Sequence, residues 1–233
     1  MSPVPPAVLP AVVVFDVNET LSDLGPLAES FERVGLGADE VGLWFAGVLR
    51  DGFALTAAGT NPAFSDVASE SLRVRLASRE ETRAAVGSDV ESAVETVMGA
   101  FQSLAAHPDV VPGVRALREL GVRLVTLSNG SRSVAEGLLQ RAGLDDDFEQ
   151  LLSVEDAPRW KPHPDSYAYA LSRCGVSAEE AMLVAVHPWD VDGAARAGLR
   201  SGWLNRNGAP YPSHFTPPDL QAADLVGLAQ QLA

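Results

Sequence analysis

The stretch Ala11-Val12-Val13-Val14-Phe15-Asp16-Val17-Asn18-Glu19-Thr20 joins a short apolar run to a polar turn. Residues 11–15 are apolar without interruption and largely β-branched, which predicts a strand that is buried on both faces. The run ends at Asp16. In an open parallel sheet, ligands bind in the crevice beyond the carboxyl ends of the strands. A carboxylate at this position is therefore a candidate functional group.

The rest of the chain repeats a pattern in which an apolar run follows a helical segment. Strands are predicted at residues 122–127, 182–186 and 202–204, after helical segments near 114–120, 164–173 and 191–199. This alternation indicates right-handed βαβ units and a mostly parallel, Rossmann-like sheet flanked by helices. A last helix is predicted over 222–232, after a proline-rich loop at 210–218. The predicted fold class is α/β.

Residues 22–106 have a different pattern. Apolar residues recur there at helical spacing, as at Leu72 and Leu76, and no strong strand pattern occurs. This predicts a helical cap subdomain inserted over the sheet at 22–106. Residues 1–21 and 107–233 then form the Rossmann-like core.

The composition limits the classes of function. The 233 residues are 46% hydrophobic, which suffices for one packed domain with an insertion. The 31 acidic residues exceed the 17 basic ones, and the net charge of −14 disfavours binding to nucleic acid or to an anionic membrane surface. Cys174 is the one cysteine, so no intramolecular disulfide can form. The lack of a disulfide and the lack of a basic leader pattern at the N-terminus together predict a soluble cytoplasmic protein.

Four polar motifs follow in order along the chain, three of them directly after predicted strands. They are Asp16 to Thr20, Ser128-Asn129-Gly130, Lys161-Pro162 and His187-Pro188-Trp189-Asp190. Each has an ordinary structural explanation, since Asp16 could cap a helix, residues 128–130 could form a turn and Lys161 could be solvated. Parallel strands bring their carboxyl ends to one edge, however, so the motifs together predict one pocket.

This set of motifs resembles the haloacid-dehalogenase-like superfamily, whose members carry a nucleophilic Asp, a Ser or Thr, a Lys and a further acidic residue. The narrower resemblance is to the type II (S)-2-haloacid dehalogenases. It rests on residues 127–131, 152–154, Lys161-Pro162 with Tyr167, Trp189-Asp190 and 203–206, and on Leu43-Trp44 and residues 64–73 in the insertion. The resemblance implies a hydrolase that removes halide from short 2-haloalkanoic acids without a metal. It also implies a homodimer.

The resemblance assigns catalytic roles to four residues. Asp16 would displace halide from an sp³ carbon and form an ester that water hydrolyses. Lys161 would keep that carboxylate anionic, Thr20 would orient it, and Asp190 would position Lys161 and the hydrolytic water. Tyr167 could instead be a core residue. The expected substrate-binding residues are Val17, Asn18, Phe45, Leu49, Phe64, Ser128, Asn129, Tyr167, His187 and Trp189.

Two other functions remain open. A magnesium-dependent phosphatase of the same superfamily would also use Asp16. Such enzymes carry a second Asp two residues later, where this chain has Asn18, which cannot act as a general acid. They also carry an extra carboxylate where this chain has Ala185 and Val186, and Mg²⁺ prefers anionic oxygen ligands. A catalytically silent binding protein is the other alternative. The favoured prediction is an enzyme without a metal or another cofactor, acting on a halogenated carboxylic acid.

The chain departs from the dehalogenase pattern in the expected substrate pocket. Phe45 replaces an arginine that assists halide departure, and Arg50 is not an easy substitute because it lies about 140° away on a helix. Asn18 replaces an aromatic residue, and Ala185 and His187 replace a Ser and an Asn. His187 is either a histidine packed at a strand end or a polar group that contacts water, halide or substrate. These changes predict altered handling of the leaving group.

Overall fold

A computed structural model of the protein describes residues 9–78 and 89–233. Residues 1–8, where no leader pattern was found, and residues 79–88 of the predicted insertion lie outside the described residues. The sequence-based predictions for those two segments stay predictions.

Within the described residues, six parallel strands form one sheet in the order β3-β2-β1-β4-β5-β6. The strands are β1 (Val12–Phe15), β2 (Arg123–Ser128), β3 (Gln150–Ser153), β4 (Ala181–Ala185), β5 (Arg200–Leu204) and β6 (Leu220–Ala222). The chain runs outward from β1 through β2 and β3 on one side and through β4 to β6 on the other. This is the doubly wound order, and the predicted α/β fold with a parallel, Rossmann-like sheet is confirmed.

The helices cover both faces of this sheet and account for the chain between the strands. They are α1 (Leu27–Arg33), α2 (Glu40–Ala57), α3 (Phe64–Ser78), α4 (Val90–Gln102), α5 (Val110–Glu119), α6 (Arg132–Ala142), α7 (Pro164–Cys174), α8 (Pro188–Arg196) and α9 (Leu225–Leu232). None of the helices in residues 9–78 and 89–233 combines the length and apolar character needed to cross a membrane.

Strand β1 explains why its apolar run has no polar interruption. Val12 and Val14 belong to the apolar core on one face of the sheet, and Val13 and Phe15 belong to the core on the other face. Successive side chains of a strand point to opposite faces, so a strand covered on both sides needs apolar residues throughout. All of residues 12–15 are fully buried.

Two short strands and several element boundaries differ from the sequence-based prediction: the helices predicted at 114–120 and 191–199 begin at Val110 and Pro188, and the strand predicted at 202–204 begins at Arg200. β3 and β6 were not predicted, and the last helix begins at Leu225 and not at residue 222. Residues 220–222 pair with β5 instead. The helix starts after Asp224, whose carboxylate accepts a hydrogen bond from the Gly227 amide at 2.7 Å, as an N-cap residue does.

Helices α1 to α4 lie between β1 and α5 in the chain. The two connections to these helices run side by side, because an antiparallel bridge pairs Ser22 with Ala106. Helix α2 approaches the site edge of the sheet closely at Gly52, where an added Cβ would overlap the indole ring of Trp160. The Trp160 Nε1 donates a hydrogen bond to the Pro62 carbonyl at 2.9 Å. The role of residues 22–106 as a cap stays a prediction.

Candidate active site

The central strands of the sheet bring the predicted motifs to one edge. β1 lies between β2 and β4, and Phe15 is level with Thr126 and Val184. Because all three strands are parallel and in this register, Asp16, Ser128 and His187 lie at or just beyond neighbouring strand ends.

Lys161 lies between two buried carboxylates. Its Nζ donates a hydrogen bond to Asp16 Oδ1 at 3.0 Å and another to Asp190 Oδ2 at 2.6 Å. Lys161 and Asp190 have no exposed surface, and Asp16 is 4% exposed. A buried charge is costly unless it is paired and hydrogen-bonded, so each group of this triad depends on the others.

Burial and pairing together set the ionic state of Asp16. Burial raises the pKa of its carboxyl, but the ammonium of Lys161 and the hydrogen bonds from His187 and Thr20 outweigh burial, so the pKa lies well below its ordinary value. Burial lowers the pKa of Lys161, and the charges of Asp16 and Asp190 more than reverse this effect. Asp16 is therefore anionic at neutral pH, which is the state that a nucleophilic carboxylate needs.

Two of the predicted substrate-binding residues contact the charged triad. The Asn129 side chain holds the backbone of Lys161, since its Nδ2 donates to the Lys161 carbonyl at 3.1 Å and its Oδ1 accepts from the Lys161 amide at 2.9 Å. Tyr167 is fully buried on α7 and donates its hydroxyl to Asp190 Oδ1 at 2.7 Å. Asn129 thus lies against Lys161, and Tyr167 lies against Asp190.

Thr20 links Asp16 to the end of β4. Its hydroxyl donates to Asp16 Oδ2 at 2.6 Å and accepts a hydrogen bond from the Val186 amide at 3.1 Å. Thr20 lies four residues after Asp16, at the end of the same turn, and is fully buried. These two hydrogen bonds hold the carboxylate of Asp16 in one orientation. The family resemblance predicts this contact between Thr20 and Asp16.

His187 lies between Asp16 and a residue that the sequence analysis did not identify, Glu19. The ring Nδ1 lies 3.0 Å from Asp16 Oδ2, and Nε2 lies 2.8 Å from Glu19 Oε2. Burial lowers the pKa of His187, but its hydrogen bonds to Asp16 and Glu19 outweigh burial and raise the pKa to about 9. His187 thus lies in hydrogen-bond contact with Asp16, and its contact with water, halide or substrate stays a prediction.

The backbone at Glu19 is unusual. Its φ of 61° is in the left-handed region, which residues other than glycine seldom adopt. Its amide donates to Ser22 Oγ at 3.3 Å, and its carbonyl lies 3.1 Å from Nε2 of His107. These contacts hold a turn that brings the Glu19 carboxylate next to His187. Nothing in the local sequence pattern predicts this turn.

Asn18, Ser128 and Gly130 form a small polar group beside Asp16. The Gly130 amide donates to Ser128 Oγ at 2.9 Å, and a Cβ added to Gly130 would lie 3.2 Å from both Ser128 Oγ and Asn18 Nδ2. No group within residues 9–78 and 89–233 hydrogen-bonds to the Asn18 side chain. The Asn18 amide and the Ser128 hydroxyl are hydrogen-bond donors of the kind that a substrate carboxylate needs.

Aromatic side chains cover the polar groups. The ring of Phe45 lies 6.3 Å from that of His187 and 6.1 Å from that of Phe64, and the Trp189 ring lies 5.0 Å from His187. Leu49 belongs to the same apolar core as Phe45 and Phe64. The side chain of Val17 instead belongs to the core on the other face of the sheet.

The donor set does not fit a magnesium ion. The ammonium of Lys161 already lies between the two carboxylates, where a divalent cation would bind. Asp192 turns away and accepts hydrogen bonds from Arg196 Nε and the Thr216 amide, each at 2.8 Å. Mg²⁺ needs a near-octahedral set of oxygen ligands, which these residues do not supply.

A family model described as haloacid dehalogenase-like hydrolase matches residues 10–198. The chain belongs to this family. The hydrolase is 30% identical over 223 residues to haloacetate dehalogenase H-2 of Moraxella sp. (strain B), with 95% of this chain and 97% of the relative covered. It is 28% identical to (S)-2-haloacid dehalogenase 4A of Burkholderia cepacia, with 94% of each chain covered.

A solved structure agrees with these sequence relatives. The crystal structure of an L-2-haloacid dehalogenase superposes on the hydrolase with a TM-score of 0.87 and 29% sequence identity, covering 97% of this chain and 99% of that one. The family identification that was based on the four motifs is therefore confirmed.

Proposed function

We propose that this hydrolase is a metal-independent dehalogenase of short 2-halocarboxylic acids and that it forms an ester on Asp16. The observation that carries the proposal is the buried ammonium of Lys161, 3.0 Å from Asp16 and 2.6 Å from Asp190. This arrangement keeps a carboxylate anionic and in place without a metal ion. The similarity to a haloacetate dehalogenase and to (S)-2-haloacid dehalogenases supports a carbon–halogen bond as the bond that is cleaved.

The reaction would take place in two displacements. One oxygen of Asp16 attacks the carbon that bears the halogen, the carbon–halogen bond breaks, and halide leaves with the bonding electrons. Water then attacks the Cγ of the resulting ester, the bond from Cγ to the alkyl oxygen breaks, and a 2-hydroxy acid leaves. Thr20 and Lys161 hold the carboxylate for the first step.

The donors and the packing of the site support a small substrate that carries a carboxylate. Asn18 and Ser128 supply neutral donors for a carboxylate beside Asp16. Phe45 and Phe64 are each 3% exposed, and Phe45 packs against His187, so these rings leave little room for a long chain. Acids of two or three carbons suit this arrangement. A cytoplasmic location and a homodimer stay predictions from composition and from the family resemblance.

The test is halide release from chloroacetate and from 2-chloropropionate, measured with a chelator present. We expect wild-type enzyme to release halide, and we expect Asp16→Asn to lose at least about 10⁴-fold in kcat because the nucleophile is gone. Glu136→Gln is the matched control, since Glu136 is exposed on α6 and is not one of the candidate site residues.

Two results would contradict the proposal. Phosphate release that depends on added magnesium, with no halide release from either acid, would favour a phosphatase. Equal turnover by wild-type protein and Asp16→Asn over both acids would favour a binding protein that lacks this chemistry.

A further inference from the structure

We propose that His187, oriented by Glu19, is the general base that activates the water for hydrolysis of the ester on Asp16. This inference rests on the proposed function, because it concerns the second displacement of that reaction.

The position of the ring carries the inference. Nδ1 of His187 lies 3.0 Å from Asp16 Oδ2, so it is next to the carboxyl group whose Cγ the water must attack. Nε2 lies 2.8 Å from a Glu19 carboxylate oxygen. A carboxylate on one ring nitrogen fixes the orientation of the imidazole and stabilises its protonated form, while the other nitrogen accepts a proton. His187 and Glu19 have this relation to Asp16.

Asp190 is poorly placed for the same task. Its Oδ2 accepts from Lys161 at 2.6 Å, its Oδ1 accepts from Tyr167 at 2.7 Å, and it has no exposed surface. Its oxygens could accept further hydrogen bonds, but they have no exposed surface at which a water molecule could reach them. Within residues 9–78 and 89–233, His187 hydrogen-bonds to Glu19 and Asp16 alone, so Nδ1 can accept a proton once Asp16 carries the alkyl group.

The outer end of the His187 and Glu19 pair reaches solvent. The Glu19 side chain is 38% exposed, whereas that of His187 is 11% exposed. Both residues line an open surface cavity of about 440 Å³, together with His107 and Arg206. Nε2–H can therefore stay hydrogen-bonded to Glu19, and water in this cavity can take up the proton that leaves Nδ1 without that proton crossing the buried triad around Lys161.

The surroundings of the ring explain when it changes its charge. The charged or titratable groups that contact it are Asp16 and Glu19, with Lys161 beyond Asp16 and His107 beyond the Glu19 backbone. Asp23 and Arg206 line the same cavity as His187. From α2 and α8 it meets the apolar rings of Phe45 and Trp189. The pKa of about 9 in the resting enzyme depends on Asp16 being an anion. Esterification removes that charge, so His187 then loses its proton more readily.

The protons balance over one cycle. Alkylation of Asp16 releases halide, and His187 then loses its Nδ1 proton to water, while Nε2–H stays hydrogen-bonded to Glu19. Water attacks Cγ and gives one proton to Nδ1. When the tetrahedral intermediate collapses, the leaving alkoxide takes the second water proton and departs as the 2-hydroxy acid. Asp16 is again a carboxylate beside a protonated His187, and the net products are hydroxy acid, halide and one proton.

The test separates the two displacements in His187→Asn and His187→Gln. Each variant is mixed with 2-chloropropionate, and halide release and the intact mass of the protein are followed together. We expect one equivalent of halide in a burst, accumulation of a protein with the added alkyl ester, and a loss of about 10²–10⁴-fold in steady-state kcat. Formation of the adduct also demonstrates that the variant is folded. His214→Asn, in an exposed loop, is the matched control and should turn over like wild type.

Glu19→Gln tests the orienting role with a pH profile. A base must be neutral to act, so kcat of the wild type should fall on the acid side. The negative charge of Glu19 raises the pKa of His187, so Glu19→Gln should lower kcat and move the acid limb to lower pH.

The possible outcomes distinguish the inference from the proposed function. If the wild-type protein released no halide, the proposed function itself would be contradicted. Halide release by the wild type, with neither an adduct nor slower hydrolysis in the His187 variants, would overturn the role of His187 alone. Loss of the halide burst in both His187 variants would also overturn it, because the ring would then serve the first displacement.

Discussion

Asp16 has two different sides. Its Oδ1 faces Lys161, which is fully buried and is held by Asn129 and Asp190. Its Oδ2 faces Thr20 and His187, and His187 leads through Glu19 to a solvent-filled cavity. The ammonium of Lys161, on the buried side, keeps its charge because it has no contact with solvent. The proton on His187, on the other side, can exchange with solvent.

This difference separates two tasks that a nucleophilic carboxylate imposes on its surroundings. The carboxylate has to stay anionic before the attack, which a buried ammonium ensures. It then has to be restored from an ester, which requires proton transfer. A group with no contact to solvent serves the first task, and a group near the surface serves the second.

The largest expected effect comes from removing the buried ammonium of Lys161, which faces Asp16 Oδ1. Lys161→Met leaves Asp16 and Asp190 as buried carboxylates without their common partner, so we expect a loss of about 3–5 kcal/mol in the free energy of unfolding, measured in urea. Halide release should fall by at least about 10²-fold, since a charge-stabilising group is gone. Adding Asp190→Asn to this variant should recover part of the stability. An unchanged urea midpoint for Lys161→Met would contradict this account of the triad.

A smaller effect on the free energy of unfolding is expected from His187, which faces Asp16 Oδ2, and it should depend on pH. The pKa of His187 is about 9 in the folded protein against an ordinary 6.5, so its contribution to stability is fully present below pH 6.5 and is lost as pH rises through 9. The contribution is at most about 3 kcal/mol. The free energy of unfolding should therefore fall over this interval in wild type, and His187→Asn should lack that fall. His214→Asn should keep it; the same slope in His187→Asn would refute the assignment.

The smallest effect is expected away from both sides of Asp16. Arg50 pairs with its neighbour Asp51 at 2.8 Å, and its side chain is 75% exposed. Because it does not face the site, it cannot replace the arginine that the family usually has at the position of Phe45. We expect Arg50→Ala to change kcat/KM for 2-chloropropionate by less than about two-fold, measured beside wild type. A loss comparable to that of the His187 variants would mean that Arg50 reaches the substrate.

The sequence was sufficient to predict the central part of the fold. Strands β1 and β4 are uninterrupted apolar runs and β2 is largely apolar, and helices nearby begin with recognisable signals such as Pro164 and Pro188. β6 has three residues, one of which is the exposed Gln221, and the four residues of β3 include Gln150 and Ser153. Neither is an uninterrupted apolar run, and their residues show no period of their own.

The site could be predicted only in part for a related reason. Asp16, Lys161 and Asp190 were identifiable because each lies in a motif at a predicted strand or helix end, and the structure places them in contact. Glu19 was missed because its role depends on a left-handed backbone and on His187 from a distant loop. Neither condition leaves a spacing that a single sequence can display.

The contact between Gly52 and Trp160 sets a distance. Helix α2 packs directly on this indole with no room for a side chain, and the indole also donates a hydrogen bond to the Pro62 carbonyl. Even the methyl group of an alanine at position 52 would have to push helix α2 and the indole apart. The separation between α2 and the site edge of the sheet is therefore fixed by the absence of one side chain.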